Sequence, residues 1–370
     1  MRRALPILLA VLAASLTACG DDDSRESTRV RGDILTIYAS LPAHGVDARA
    51  GAAAELGMRR ALTAAKGRAG GRAIRFVRLS STRPGDVTWD PGTIEANADR
   101  AVEDATTIAY LGELGGGASA VSLPVTNREQ ILQVSPADAL TSLTETPPGR
   151  PRAGPERYYP GERRTFVRLV EPDIVAARQI VAELRGRGVR RLAIVTGDGI
   201  ADHELEAMII GLIGTGQPRT VTRVAAPSDD DEPESAIDLA DELADGEPQA
   251  IVYAAADGVR TRAALAALAA RLPGVPLLAG PALAGRAIAA GGRAASCAQA
   301  GVPAAAPLPR AARRRLETLR HRGGRELGVE ALLGYDAMRL TLAAIDRAGP
   351  DRLAVARAAV AMRADFSPCR

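Results

Sequence analysis

The chain has 370 residues, 46% hydrophobic and 25% charged, a globular balance long enough for two domains of ordinary size. A formal net charge of +3 is too small to imply a nucleic-acid partner, and aromatics at 3% leave the core to Ala, Val, Leu and Ile. Three histidines, His44, His203 and His321, stand at no metal-ligand spacing from one another or from cysteine, so neither a metal nor another cofactor is expected.

Arg2 and Arg3 precede an apolar run from Ala4 to Ala18, too short to cross a bilayer as a helix and patterned as a secretory signal peptide over residues 1–18. Leu16-Thr17-Ala18-Cys19 resembles the lipobox of bacterial lipoproteins, which implies cleavage before Cys19 and lipidation of its sulfur. Residues 19–32 (CGDDDSRESTRVRG) read as a flexible tether, polar and without apolar periodicity. The mature chain is therefore expected outside the cytoplasm, held to the cell membrane by its N-terminal lipid. Cys297 and Cys369 are then left, either as a disulfide in an oxidising compartment or as two separate buried thiols.

Short β-type runs alternate with helical patterns along the rest of the chain. Strands are predicted at 34–41, 73–79, 107–114 and 131–136, then at 166–170, 191–197, 220–226, 249–256 and 275–280. Most are continuous apolar runs, as parallel strands covered on both faces require. Between them lie amphipathic segments such as 173–187, where Asp173 is the expected N-cap and Ile174, Ala177, Val181 and Leu184 recur at helical spacing. The Pro-, Gly- and charge-rich stretch 144–164 separates two α/β halves. The acidic run 228–234 lacks the spaced ligands of a calcium loop and reads as a solvated turn; the basic run 310–322 reads as the exposed face of a helix.

Catalytic signatures are missing: the sequence holds neither a G-x-S-x-G elbow nor a G-x-x-x-x-G-K-[ST] loop. Gly115-Gly116-Gly117 follows a strand and opens a helix, but without the G-x-G-x-x-G spacing of a dinucleotide site. An enzyme is not expected.

Taken in order, "SLPAHG" (40–45), "LGMRRALTAAKGRAGGRAIRFV" (56–77), "IAYLGELGGGASAVSLPVTNREQILQVSPADALTSLT" (108–144), "TFVRLVEPD" (165–173) and "GYDAMRLTLAAIDRAG" (334–349) resemble the type I periplasmic solute-binding proteins. The branch they resemble is the leucine/isoleucine/valine-binding one, which serves ABC transporters. The resemblance implies an α/β fold of two doubly wound parallel-sheet lobes joined by crossing hinge strands. Lobe 1 would comprise 33–165 and 298–350, lobe 2 would comprise 166–297, and 351–370 would form a C-terminal helix and hinge segment. A small solute, an amino acid or related compound, would be held between the lobes by a monomer and passed to an ABC permease. A sensor that signals to a membrane partner is the alternative use of the same fold. The resemblance also places Cys297 and Cys369 at the second and third crossings and so implies that they are bonded.

Its ligand contacts carry over to the glycine turn, Gly115, Gly116, Gly117 and Ser119, and to Ala137 and Ala139 at the next strand end. Three departures stand out. The family's aromatic at the cleft mouth falls at Ala50, its second-lobe tyrosine near Ala256, and the glutamate that pairs with a ligand amine falls at Ala282. Asp138 or Asp257 would have to substitute for that glutamate, or the ligand is not an α-amino acid; Asp198 is a further strand-end candidate.

Overall fold

The structure, a computed structural model, describes residues 28–216, 218–256, 258–280, 283, 310–323 and 328–366. The signal peptide, Cys19, Asp257, Ala282, Cys297 and Cys369 lie outside the described residues.

Two sheets organise the chain. The first contains β1 (Ile34–Leu41), β2 (Arg68–Ala69), β3 (Arg72–Ser80), β4 (Thr107–Leu111), β5 (Leu132–Ser135) and β6 (Phe166–Arg168) in the order β2-β3-β1-β4-β5-β6. All its pairs are parallel except β2 with β3. The second contains β7 (Arg191–Thr196), β8 (Thr220–Ala225), β9 (Ala250–Ala254) and β10 (Leu277–Ala279), all parallel, in the order β10-β9-β7-β8. The predicted strands are all present, each within a few residues of its expected ends. The two-residue β2 was not anticipated, because it is a hairpin edge too short to carry a periodicity.

Counted by their parallel strands alone, both sheets run 2-1-3-4, the first adding a fifth strand. This doubly wound order reverses direction between strands 1 and 3, and ligands bind in the crevice outside the carboxyl ends at that point. In the first lobe the crevice lies between the loops after β1 and β4. In the second it lies between those after β7 and β9.

Helices cover the sheets. In the first lobe, α1 (Ala48–Ala64), α2 (Pro91–Glu103) and α3 (Ser119–Arg128) alternate with the strands. In the second lobe α4 (Asp173–Gly186), α5 (Ile200–Ile213), α6 (Ser235–Asp245) and α7 (Val259–Arg271) do the same. Near the end of the chain come α8 (Arg310–Gly323), α9 (Val329–Ala348) and α10 (Arg352–Phe366). The last two return to the first lobe, where Met338, Ile345, Val355 and Ala359 join Leu35, Ile37, Ile108 and Val134 in one core. The second lobe has its own apolar clusters on either side of its sheet, built around Ile194, Val252 and Met208 and around Val195, Tyr253 and Leu239. In the basic α8, Ala312, Leu316 and Leu319 are buried at helical spacing, leaving arginines on the other face.

Two details differ from expectation. Asp173 does not cap its helix: Pro172 occupies the N-cap and Asp173 is the first helical residue, without a side-chain capping bond. Residues 28–30, assigned to the tether, are docked. The Val30 amide donates to Pro350 O at 2.7 Å, Thr28 Oγ1 to Asp351 at 3.0 Å, and Val30 is buried. An apolar side chain with a strand-like backbone partner holds the chain from Thr28 onward.

Candidate functional site

The first-lobe crevice rests on a buried polar network. Glu113, two residues past the end of β4, is only 1% exposed. Its carboxyl accepts bonds from Ser40 Oγ and Tyr110 Oη, each at 2.7 Å. Asn97 Nδ2 donates to Ser40 Oγ at 3.1 Å, and Ser135 Oγ donates to Glu113 O at 2.6 Å. Burial pushes the Glu113 carboxyl up to about 8, against the lowering effect of the hydroxyls around it. Beneath the turn, Gln133 Nε2 donates to Gly112 O at 3.1 Å and to Ser122 Oγ at 2.9 Å. Such a network fixes the turn by satisfying every polar group that carries it.

The glycine turn leads into α3 as expected, but its donors are partly engaged. The carboxylate of Asp138, fully buried, accepts the Gly117 amide at 3.2 Å, the Ser119 amide at 2.8 Å and the Leu140 amide at 3.2 Å. Asp138 therefore supplies from within the chain the negative charge that a helix N-terminus attracts. Ser119 is buried, its Oγ accepting the Glu113 amide at 3.1 Å. Gly116 is exposed, Gly115 and Ala137 are half-buried, and Ala139 is buried.

The second lobe approaches this turn through the start of α5. A Cβ placed on Gly117 would lie 3.4 Å from Ile200 Cβ. The Ser142 amide of the first lobe donates to Glu204 of α5 at 3.0 Å. Ala201 packs against the buried cluster of Leu123, Leu140, Leu143, Tyr158 and Phe166. The strand-end loops of the two sheets thus meet directly, glycine turn against α5.

Several carboxyl groups gather where the lobes meet. Asp173 is buried and its pKa is raised to about 7, chiefly by burial and then by the charge of Asp138. Its Oδ1 has no hydrogen-bond partner among the described residues. Asp202 accepts the Gly199 amide at 3.2 Å, and burial raises its pKa to about 6. Glu204 is also raised by burial. Arg168 offsets part of this charge: it lies within electrostatic reach of Asp138 and Asp173 and donates to Leu140 O at 2.7 Å and to Thr144. Asp198 stands exposed on the loop after β7.

Three residues of this region escape sequence reasoning. Glu113 lies inside the quoted glycine stretch, but nothing local shows that its side chain turns inward. Asp202 and Glu204 look like the ordinary acidic first turn of a helix. A pocket of 170 Å³ lined by Ile251, Leu268, Leu272 and Leu277 lies at the opposite, amino-terminal edge of the second sheet and has no polar network. Among the described residues no group of three or more His, Cys, Asp or Glu side chains is placed to hold a metal ion.

Solved structures share this architecture. A leucine-binding protein from Thermotoga maritima superposes with a TM-score of 0.64 at 20% identity, covering 88% of this chain and 87% of its own. A solute-binding protein of an ABC transporter from R. palustris, in complex with benzoate, gives 0.65 at 18% identity, covering 89% and 85%. A branched-chain amino acid transporter substrate-binding protein from Streptococcus pneumoniae, in complex with isoleucine, gives 0.64 at 14% identity, covering 88% and 87%. No curated protein matches the sequence. The family model described as periplasmic binding protein matches residues 36–369, from the first strand to the penultimate residue. Two switch-point crevices brought edge to edge and a match over nearly the whole chain lead to one conclusion: the chain belongs to the periplasmic binding protein family, whose members bind solutes outside the cytoplasm and are not enzymes.

Proposed function

We propose that this protein captures a small amphipathic solute between its two lobes and delivers it to an ABC importer, working as a monomer anchored by lipid on Cys19. The observation that carries this reading is the meeting of the two strand-end edges, Gly117 against Ile200 and Ser142 on Glu204. Lobes arranged in this way close about a hinge when a ligand bridges them. The main chain at Gly115, Gly116, Gly117, Ala137 and Ala139 forms the first-lobe floor, with Ser119 tying it to the network below. Asp198 belongs to the opposing edge. Asp257 and Ala282, which follow β9 and β10 in sequence, complete the set, and Cys297 is bonded to Cys369.

The fold neighbours carry leucine, isoleucine and benzoate, all small molecules with a carboxylate and an apolar body. Asp138 already engages the Gly117 and Ser119 amides, so a ligand carboxylate has only the remaining turn donors to use. A carboxylate placed on those donors would also meet the like charge of Asp138 beneath them. The solute is therefore uncharged or weakly anionic where it meets the turn.

A thermal-shift screen of the mature protein over amino acids, their amides, short acids and aromatic acids tests capture. At a hundredfold excess over Kd a true ligand stabilises by about 2.7 kcal/mol. A screen in which nothing raises Tm contradicts the reading. Mass spectrometry of protein extracted from membranes checks the anchor: a diacylglycerol adduct on an N-terminal Cys19 is expected, and an unmodified cysteine contradicts it.

A further inference from the structure

The chain has one tryptophan, Trp89, and it lies over the glycine turn. A Cβ placed on Gly116 would be 2.8 Å from Trp89 Nε1 and 3.5 Å from Cδ1, so the indole edge rests directly on this backbone. Trp89 comes from the loop between β3 and α2, far in sequence from the turn it covers. Its ring is half-buried, leaving part of a large apolar surface in solvent.

The loop that carries Trp89 is held firmly. Asp90 N donates to Ser81 O at 3.0 Å, Asp90 caps α2 through the Thr93 amide at 2.7 Å, and Arg83 pairs with Asp90 at 2.7 Å. The Ala43 and His44 amides donate to Thr82 Oγ1 at 3.1 and 2.9 Å, and Val46 N donates to Val87 O at 2.9 Å. Gly45, with φ of +74°, allows that last contact: a Cβ there would lie 2.1 Å from Val87 O. Three loops, 42–47, 81–90 and 112–118, therefore converge on the first-lobe switch point and fix the indole above it.

The surrounding exposed apolar groups sit on the same edges. Val87 of this loop is 43% exposed and Ile200, which touches Gly117 from the second lobe, is 39% exposed. Val259, which starts α7 just after β9 at the second-lobe switch point, is 59% exposed. A half-exposed indole seated on Gly116, next to the Gly117 that meets the exposed Ile200 of the second lobe, offers a surface for a flat apolar body.

We infer that Trp89 is the specificity-determining wall of the crevice, and that the solute carries an aromatic ring or comparable planar apolar body that lies on the indole against Ile200. The inference rests on the proposed capture function and names the class of solute. It also gives the cleft an aromatic where Ala50 and Ala256 provide none.

Because Trp89 is the sole tryptophan, its fluorescence reports on this site alone. The mature protein is titrated with benzoate, benzamide, leucine and isoleucine, following indole emission and Tm for the native chain, and Tm and isothermal titration for Trp89→Phe and Trp89→Ala, which have no indole. The expected result is that benzamide or benzoate shifts the emission and raises Tm. Trp89→Phe should keep aromatic affinity within about threefold, and Trp89→Ala should lose at least tenfold while retaining the native Tm without ligand to within a few degrees. Aromatic binding that survives Trp89→Ala unchanged overturns the inference and leaves capture standing. So does binding by leucine or isoleucine alone. Silence of all four probes overturns the inference, while capture is then decided by the wider screen.

Discussion

The two strand-end edges have the same topology and opposite chemistry. Around β4 and β5 the edge is a dense buried network, Ser40, Asn97, Tyr110, Glu113, Gln133, Ser135 and Asp138, whose hydrogen bonds leave the glycine turn little freedom. Around β7 and β9 the edge has Asp202 on the Gly199 amide, the exposed Asp198 and exposed Ile200 and Val259. The lesson is a division of labour within one duplicated fold. On the proposed function, the first lobe is the preformed side of the site and the second the side that closes on the solute with apolar side chains and a few carboxyl groups.

The largest effect that would break this comparison is loss of Asp138. Asp138→Ala strands the Gly117, Ser119 and Leu140 amides in a buried site and is expected to destabilise by about 3 kcal/mol in urea unfolding, with Asp138→Asn intermediate. Among folded molecules, either change frees turn donors and should tighten benzoate relative to benzamide by isothermal titration. An unchanged ratio would mean that the Asp138 charge does not act on the cleft.

Next in size is a pH effect. Glu113, Asp173 and Asp202 have carboxyl pKa values raised by burial from 4.5, 3.8 and 3.8 to about 8, 7 and 6. Folding therefore takes up protons above the ordinary values, so stability falls as pH rises from about 4 toward 8. Each group contributes at most about 1.4 kcal/mol per pH unit. Between pH 7 and 8 the Glu113 share outlasts the other two, so Glu113→Gln should flatten the fall of Tm there. A native Tm that climbs steadily from pH 5 to 8 would contradict the assignment.

Glu204→Ala tests the tie between the edges. It removes the acceptor of the Ser142 amide and should cost about 1–3 kcal/mol. It should also raise the radius of gyration in small-angle scattering as the lobes part, and an unchanged radius would show that the tie does not hold the closed form. The smallest effect is at the surface, where Arg83→Ala breaks the pair with Asp90. Only a small loss of stability in urea unfolding is expected, because Arg83 is largely exposed.

Much of the fold was legible because buried parallel strands read as apolar runs: "ILTIYASL" and "RLAIVT" are strands almost residue for residue. β4 was read too long because Gly112 and Glu113 continue a strand-like pattern, whereas the chain leaves the sheet at Leu111 to enter the turn. In the candidate site, the glycine turn and the 137–139 segment follow β4 and β5 as the strand pattern predicts, and their part in binding is a proposal. The role of Asp138 is not legible, since two of its three amide partners, on Gly117 and Ser119, stand about twenty residues away and leave no local pattern. Trp89 was invisible for a similar reason: its loop has no periodicity, and only the fold brings it over Gly116.

The central claim is that a preformed first lobe and a closing second lobe share one solute. Amide hydrogen exchange of the mature protein, free and saturated with whichever screened solute raises Tm most, tests it most directly. The expected result is slow exchange at Gly117, Ser119 and Leu140 in both states, with new protection on binding at residues 199–202 and 258–260. Fast exchange at those three first-lobe amides in the free protein, or protection gained in one lobe only, would contradict it.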